Sequence, residues 1–112
     1  MGAPRLNVRL ALEAPERQSD GLGGYRVVWR QLGFLWAELD SGSGRRRSAE
    51  VGAESVVSWK ITVRSAATGD PRRPAPGQRL RLDRRFFRID AVAERDRDGL
   101  WLTCFAREED QA

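Results

Sequence analysis

The side chains able to do chemistry in this chain are guanidiniums and carboxylates. There is no His, and Cys104 is the only cysteine, which removes the commonest general base and the commonest metal ligand together. The serines near the glycines therefore have no partner for a hydrolase triad. Glu38 and Asp40 alternate along one stretch and would share a strand face, a spacing compatible with a carboxylate pair but more simply read as a solvated face. No clustered spacing of Asp or Glu suggests a metal site, and Asp96-Arg97-Asp98-Gly99 lacks the further oxygen ligands of a calcium loop. Asp20-Gly21-Leu22-Gly23-Gly24 is a turn cluster, far short of a phosphate loop. The expectation is a chain with no catalytic residues, no metal and no cofactor.

The cations are a richer signal. All but one of the 20 basic residues are Arg, Lys60 being the exception, against 16 acidic residues and a net charge of +4. They gather as Arg45-Arg46-Arg47, as Arg72-Arg73, and as Arg79, Arg81, Arg84, Arg85 and Arg88. Guanidiniums meet phosphates without reading bases, and they also form bidentate pairs with carboxylates at protein interfaces, so both uses stand. Arg72, Arg73, Arg79, Arg81, Glu108 and Glu109 are the candidate subunit or partner contacts, with Arg79 and Arg81 the polar face of a strand.

The elements that must position these residues are strands. Leu6, Val8, Leu10 and Leu12 alternate with polar or small residues, and Pro15 is expected to end that strand. Tyr25–Arg30 reads as a second strand, which Gln31–Gly33 turn into Phe34–Leu39. Val56–Arg64, Arg79–Asp83, Arg85–Val92 and Leu100–Ala106 follow, the last two joined by the turn at Asp96–Gly99. Most of Trp29, Trp36, Trp59 and Trp101 are expected in the core. Cys104 is expected to be a buried structural thiol. The acidic tail from Arg107 is expected to be frayed or a partner contact.

Between Leu39 and Val56 lies Ser41–Glu54, fourteen residues with three Gly, Arg45-Arg46-Arg47 and almost nothing large and apolar. Extending a connection from four residues to fourteen costs only about 1 kcal/mol in closure entropy. Ordering it costs roughly 1 to 2 kcal/mol per residue, which this composition does not offset within one subunit. The segment is expected to project from the body, with a turn or two of helix conceivable over Arg47–Ser55, and to be ordered by a partner.

At 112 residues the chain fits one domain, 1–112. The expected fold is all-β, a small antiparallel barrel or sandwich of about seven strands with a long projecting loop at 41–54. One cysteine and the absence of any long apolar run lead to the expectation of a soluble protein made in a reducing cytoplasm.

The order of motifs resembles the phage head-tail joining family, the head-closure or stopper proteins of the connector. The resemblance is carried by Leu6–Leu12, Asp20-Gly21-x-Gly23-Gly24 before Trp29, Leu35-Trp36-Ala37-Glu38-Leu39 with Ser43-Gly44-Arg45 after it, and Trp59–Arg64. Pro76-Gly77-Gln78-Arg79-Leu80, Phe86–Val92 and Asp98-Gly99-x-x-Leu102-x-Cys104 complete it. The resemblance implies a β-barrel that forms a ring of six subunits in the neck of a tailed phage or a gene transfer agent particle, assembled in the bacterial cytoplasm. It implies portal or adaptor proteins on one side, tail terminator or tail proteins on the other, packaged double-stranded DNA in the channel, and no membrane. It also implies that the long loop reaches the channel and helps retain DNA, which makes Ser41, Gly42, Ser43, Gly44, Arg45, Arg46, Arg47, Ser48 and Glu50 the candidate DNA-facing residues. The alternative from the residues themselves is a small β-barrel that binds single-stranded nucleic acid on an aromatic face.

Overall fold

The computed structural model describes residues 3–41 and 57–109. Six strands are present among them: β1 (Val8–Ser19), β2 (Tyr25–Ser41), β3 (Ser58–Arg64), β4 (Arg79–Leu82), β5 (Arg85–Glu94) and β6 (Trp101–Glu109). All neighbours are antiparallel, in the order β1-β2-β3-β6-β5-β4, and β4 returns to β1 through Ala11↔Arg81, Leu12↔Leu80 and Glu13↔Arg79. The sheet closes into a barrel, one way a small β-protein removes unpaired edges. The all-β expectation holds, with six strands rather than about seven.

Alternation puts one side chain in two inside the barrel. Leu10 and Leu12 on β1, Ala37 on β2, Ile61 and Val63 on β3, Leu80 on β4, Phe87 and Ile89 on β5, and Leu102, Cys104 and Ala106 on β6 form a single buried cluster. Phe87 is the largest fully buried side chain and meets the Trp59 ring edge-on at 5.7 Å. Cys104 is buried as expected, and burial pushes its thiol up to about 12.

Two strand boundaries differ from the sequence expectation, and both changes make β1 and β2 longer. Pro15 does not end β1, which runs on through it to Ser19, paired with β2 from Pro15↔Trp29 to Ser19↔Tyr25. Beyond Glu13, β1 has a β-neighbour on one side only, and an edge strand accommodates proline where a central strand would not. Gln31–Gly33 is not a turn either. β2 passes straight through it, and the register with β1 shifts between Leu12 and Glu13, leaving Leu32 as the extra residue of a β-bulge. The outcome is a two-stranded arm, residues 14–30, that continues past the closed part of the barrel. With it the radius of gyration is 15.5 Å, against about 13 Å for a compact chain of this length.

The arm tip is a tight turn. Asp20 Oδ1 accepts from the backbone N–H groups of Leu22 and Gly24 at 2.7 and 3.0 Å, while Gly21 and Gly23 take positive φ. The β5–β6 turn expected at Asp96–Gly99 is present: Asp96 Oδ1 accepts from Leu100 and Trp101 N–H. Asp83, at φ 54°, turns β4 into β5. The proline-rich stretch after β3 stays out of the ladder, pinned by Arg73 Nη1 donating to the Ala66 carbonyl at 2.7 Å and by buried Pro74.

Candidate assembly surface

The register shift in β2 has a consequence for its outward face. Before the bulge that face carries Tyr25, Val27 and Trp29; after it, Phe34 and Trp36, because the extra residue reverses the phase of alternation. Opposite them on β1 stand Ser19, Arg17, Pro15, Ala11 and Arg9, with Glu13 opposite Gln31 between Pro15 and Ala11. The result is one continuous outward stripe about 36 Å long, at about 3.3 Å per residue. Much of it is open to solvent: Tyr25 is 66%, Val27 57%, Phe34 45% and Trp36 57% exposed. Trp36 thus corrects the expectation that most tryptophans are core. Trp59 is half-buried against Phe87, while Trp29 and Trp101 are half-buried on the outside under arginines.

Arginines lie over the stripe's rings. The guanidinium carbon of Arg9 is 3.8 Å from the Phe34 centroid, that of Arg17 4.4 Å from Tyr25, and that of Arg79 4.2 Å from Trp29 and 4.1 Å from Phe86. Arg88 covers Trp29 at 4.9 Å. Cation–π pairs of this kind hold long cationic side chains flat along apolar surface.

One carboxylate anchors the middle of this surface. Glu13 is 7% exposed and accepts from Arg79 Nε at 2.6 Å and Arg81 Nε at 3.0 Å. The three residues stand where β4 closes onto β1, at the root of the arm. Arg79 and Arg81 are therefore the polar outer face of a strand, as their alternation implied. Sequence spacing contained no hint of Glu13, which is 66 residues from Arg79 along the chain.

A second network sits near the other end of β2. Glu108 accepts bidentately from Arg85, at 2.8 and 3.0 Å, and from Trp59 Nε1 at 3.0 Å. The Arg85 hydrogen bond, with smaller help from the charge of Arg85 and from the Trp59 N–H, outweighs burial and holds the Glu108 carboxyl below the usual carboxylate range. Arg88 Nε approaches Glu109 at 3.4 Å, too poorly aligned to count as a hydrogen bond. Asp90 marks a second bulge, in β5, and pairs bidentately with Arg107 at 2.8 and 3.0 Å. Arg107–Glu109 thus belong to β6 rather than to a frayed tail.

The remaining expected contacts do not converge. Arg72 and Arg73 lie in the proline-rich loop, where the Arg72 N–H bonds Asp70 at 2.8 Å and holds that carboxyl below its ordinary range. Glu38 accepts from the Arg5 N–H at 2.9 Å and forms no carboxylate pair with Asp40 in a pocket; both lie on the barrel's exterior. Among the described residues no group of three or more His, Cys, Asp or Glu is placed to hold a metal ion. Of the expected DNA-facing residues, Ser41 ends β2, paired with Trp59 of β3. Gly42, Ser43, Gly44, Arg45, Arg46, Arg47, Ser48 and Glu50 lie outside the described residues, as does the helical turn considered over Arg47–Ser55.

Residues 1–109 match the family model described as phage head completion protein. Among solved structures, the chain is similar to one in the virion of a native gene transfer agent particle. The two are 51% identical with a TM-score of 0.84, covering 98% of this chain and 100% of that one. No functionally curated protein matches at a significant level.

Proposed function

The chain belongs to the phage head completion protein family, and from that premise we propose that it is a structural, non-enzymatic part of the head-tail connector of a tailed phage or gene transfer agent. In this reading copies form a ring of six in the neck, between portal or adaptor proteins and tail proteins, around packaged double-stranded DNA. The observation that carries it is the reach of the similarity: the family model takes in barrel, arm and the Arg-rich segment alike, and a virion chain is alike over 98% of the length.

The fold supports a division of labour along β2. Its first residues build the arm, and its last, Ser41, pairs with Trp59, so the strands that flank the Arg45-Arg46-Arg47 segment are neighbours in the sheet. A closed barrel gives that segment a rigid base. In a symmetric ring each weak phosphate contact is repeated around the channel, and the repeats add. Deleting Gly42–Gly52 tests this. Particles made with the shortened chain should still join heads to tails but should lose packaged DNA, read as nuclease-sensitive DNA per particle. Unchanged DNA retention, from a variant whose barrel melts normally, would remove the retention role.

A further inference from the structure

The stripe on β2 gathers four of the large exposed apolar side chains, Tyr25, Val27, Phe34 and Trp36, on one face. At about 36 Å by roughly one strand-pair width it covers several hundred Å², the range in which exposed apolar surface marks an interaction site. Its composition, Tyr, Trp and Phe interleaved with Arg, is the one enriched at the centres of protein interfaces.

Its charge says what kind of partner fits. The cations on this surface are Arg9, Arg17, Arg79, Arg81 and Arg88; the nearby carboxylates are Glu13, already shared by Arg79 and Arg81, and Glu109 beside Arg88. Arg9 and Arg17 have no carboxylate partner among the described residues. Two copies meeting stripe to stripe would set like charges against each other. Nucleic acid suits it less well. Guanidiniums already lie over Phe34, Tyr25 and Trp29, taking ring faces on which bases would stack. A duplex backbone would also leave Val27 and Trp36 without apolar contact.

The geometry points to the outer face of β2, Tyr25–Trp36, as the docking surface for an acidic segment with apolar side chains on a different protein of the same particle. Carboxylates of that segment would meet the outward N–H groups of Arg9 and Arg17, and its apolar groups would cover Tyr25, Val27 and Trp36. The proposal rests on the virion reading only in taking the partner from the particle.

The test places the photo-cross-linking residue p-benzoylphenylalanine at Val27, at Trp36, or at Arg26 on the other face of the arm, in cells producing particles. Purified particles are irradiated and the adducts mapped by mass spectrometry. Expected are adducts from Val27 and Trp36, at least about tenfold above those from Arg26, on an acidic stretch of another particle protein. The double variant Arg9→Glu/Arg17→Glu should melt as the parent does yet enter particles about tenfold less. Adducts confined to a second copy of this chain, or to DNA, or no stronger than those from Arg26, overturn the proposal while leaving the virion reading intact. Absence of the parent chain from purified particles overturns both.

Discussion

Glu13 does at the scale of one residue what no local motif announces. It is nearly buried, yet both of its oxygens are used, one by Arg79 and one by Arg81. Removing one member of such a cluster leaves the others desolvated and unpaired. Glu13→Ala should cost about 2 kcal/mol, less than a fully buried pair because Arg81 is partly open to water, and should lower the denaturation midpoint. Double Arg79→Met/Arg81→Met in the Glu13→Leu background should recover much of it. Glu108 sets a pH dependence. Its folded carboxyl titrates below its unfolded value, so the stability it contributes is present above the unfolded value and is lost as pH falls through the folded one. Glu108→Gln should therefore lower stability by about 1 kcal/mol at neutral pH and flatten the acid limb of the stability profile below about pH 4.5. Cys104 should resist alkylation at pH 8 in the folded protein and react on unfolding, since burial keeps its thiol protonated.

At the scale of elements, β3 to β6 were legible because each has one buried face, and alternation reports a buried face directly. The arm was legible in part: Tyr25–Arg30 reads as a strand and is one, but Glu16–Ser19 lies beyond the closed barrel, where neither side is buried enough to impose alternation, and Pro15 reads as a stop although an edge strand accommodates it. The bulge at Leu32 hid the stripe for a different reason. An extra residue reverses the phase of a strand, and in sequence a phase reversal beside Gly33 looks the same as a turn. Expecting most of the tryptophans in the core was the related error, since in Phe34–Leu39 it is Leu35, Ala37 and Leu39 that face inward and Phe34 and Trp36 that do not. An arm outside the barrel should be dispensable for folding. Replacing residues 16–28 with a two-residue Asn-Gly turn should leave the thermal midpoint within a few degrees, whereas Phe87→Ala in the barrel should cost about 3 to 5 kcal/mol. A collapse of the arm-deleted chain in circular dichroism would mean the arm is part of the folding unit.

At the scale of the whole molecule, the described residues form a closed barrel with a two-stranded arm at the start of β2. The arm has an apolar, cation-capped face; after the end of β2 the sequence runs on into Arg45-Arg46-Arg47, which lie outside the described residues. Family membership and end-to-end similarity to a virion chain give this shape its setting. The most direct measurement is electron microscopy of particles from producer cells in which this chain alone is deleted. The account predicts heads and tails that accumulate separately, with joined particles restored when the chain is supplied in trans. Complete, DNA-filled, tailed particles in its absence would contradict it.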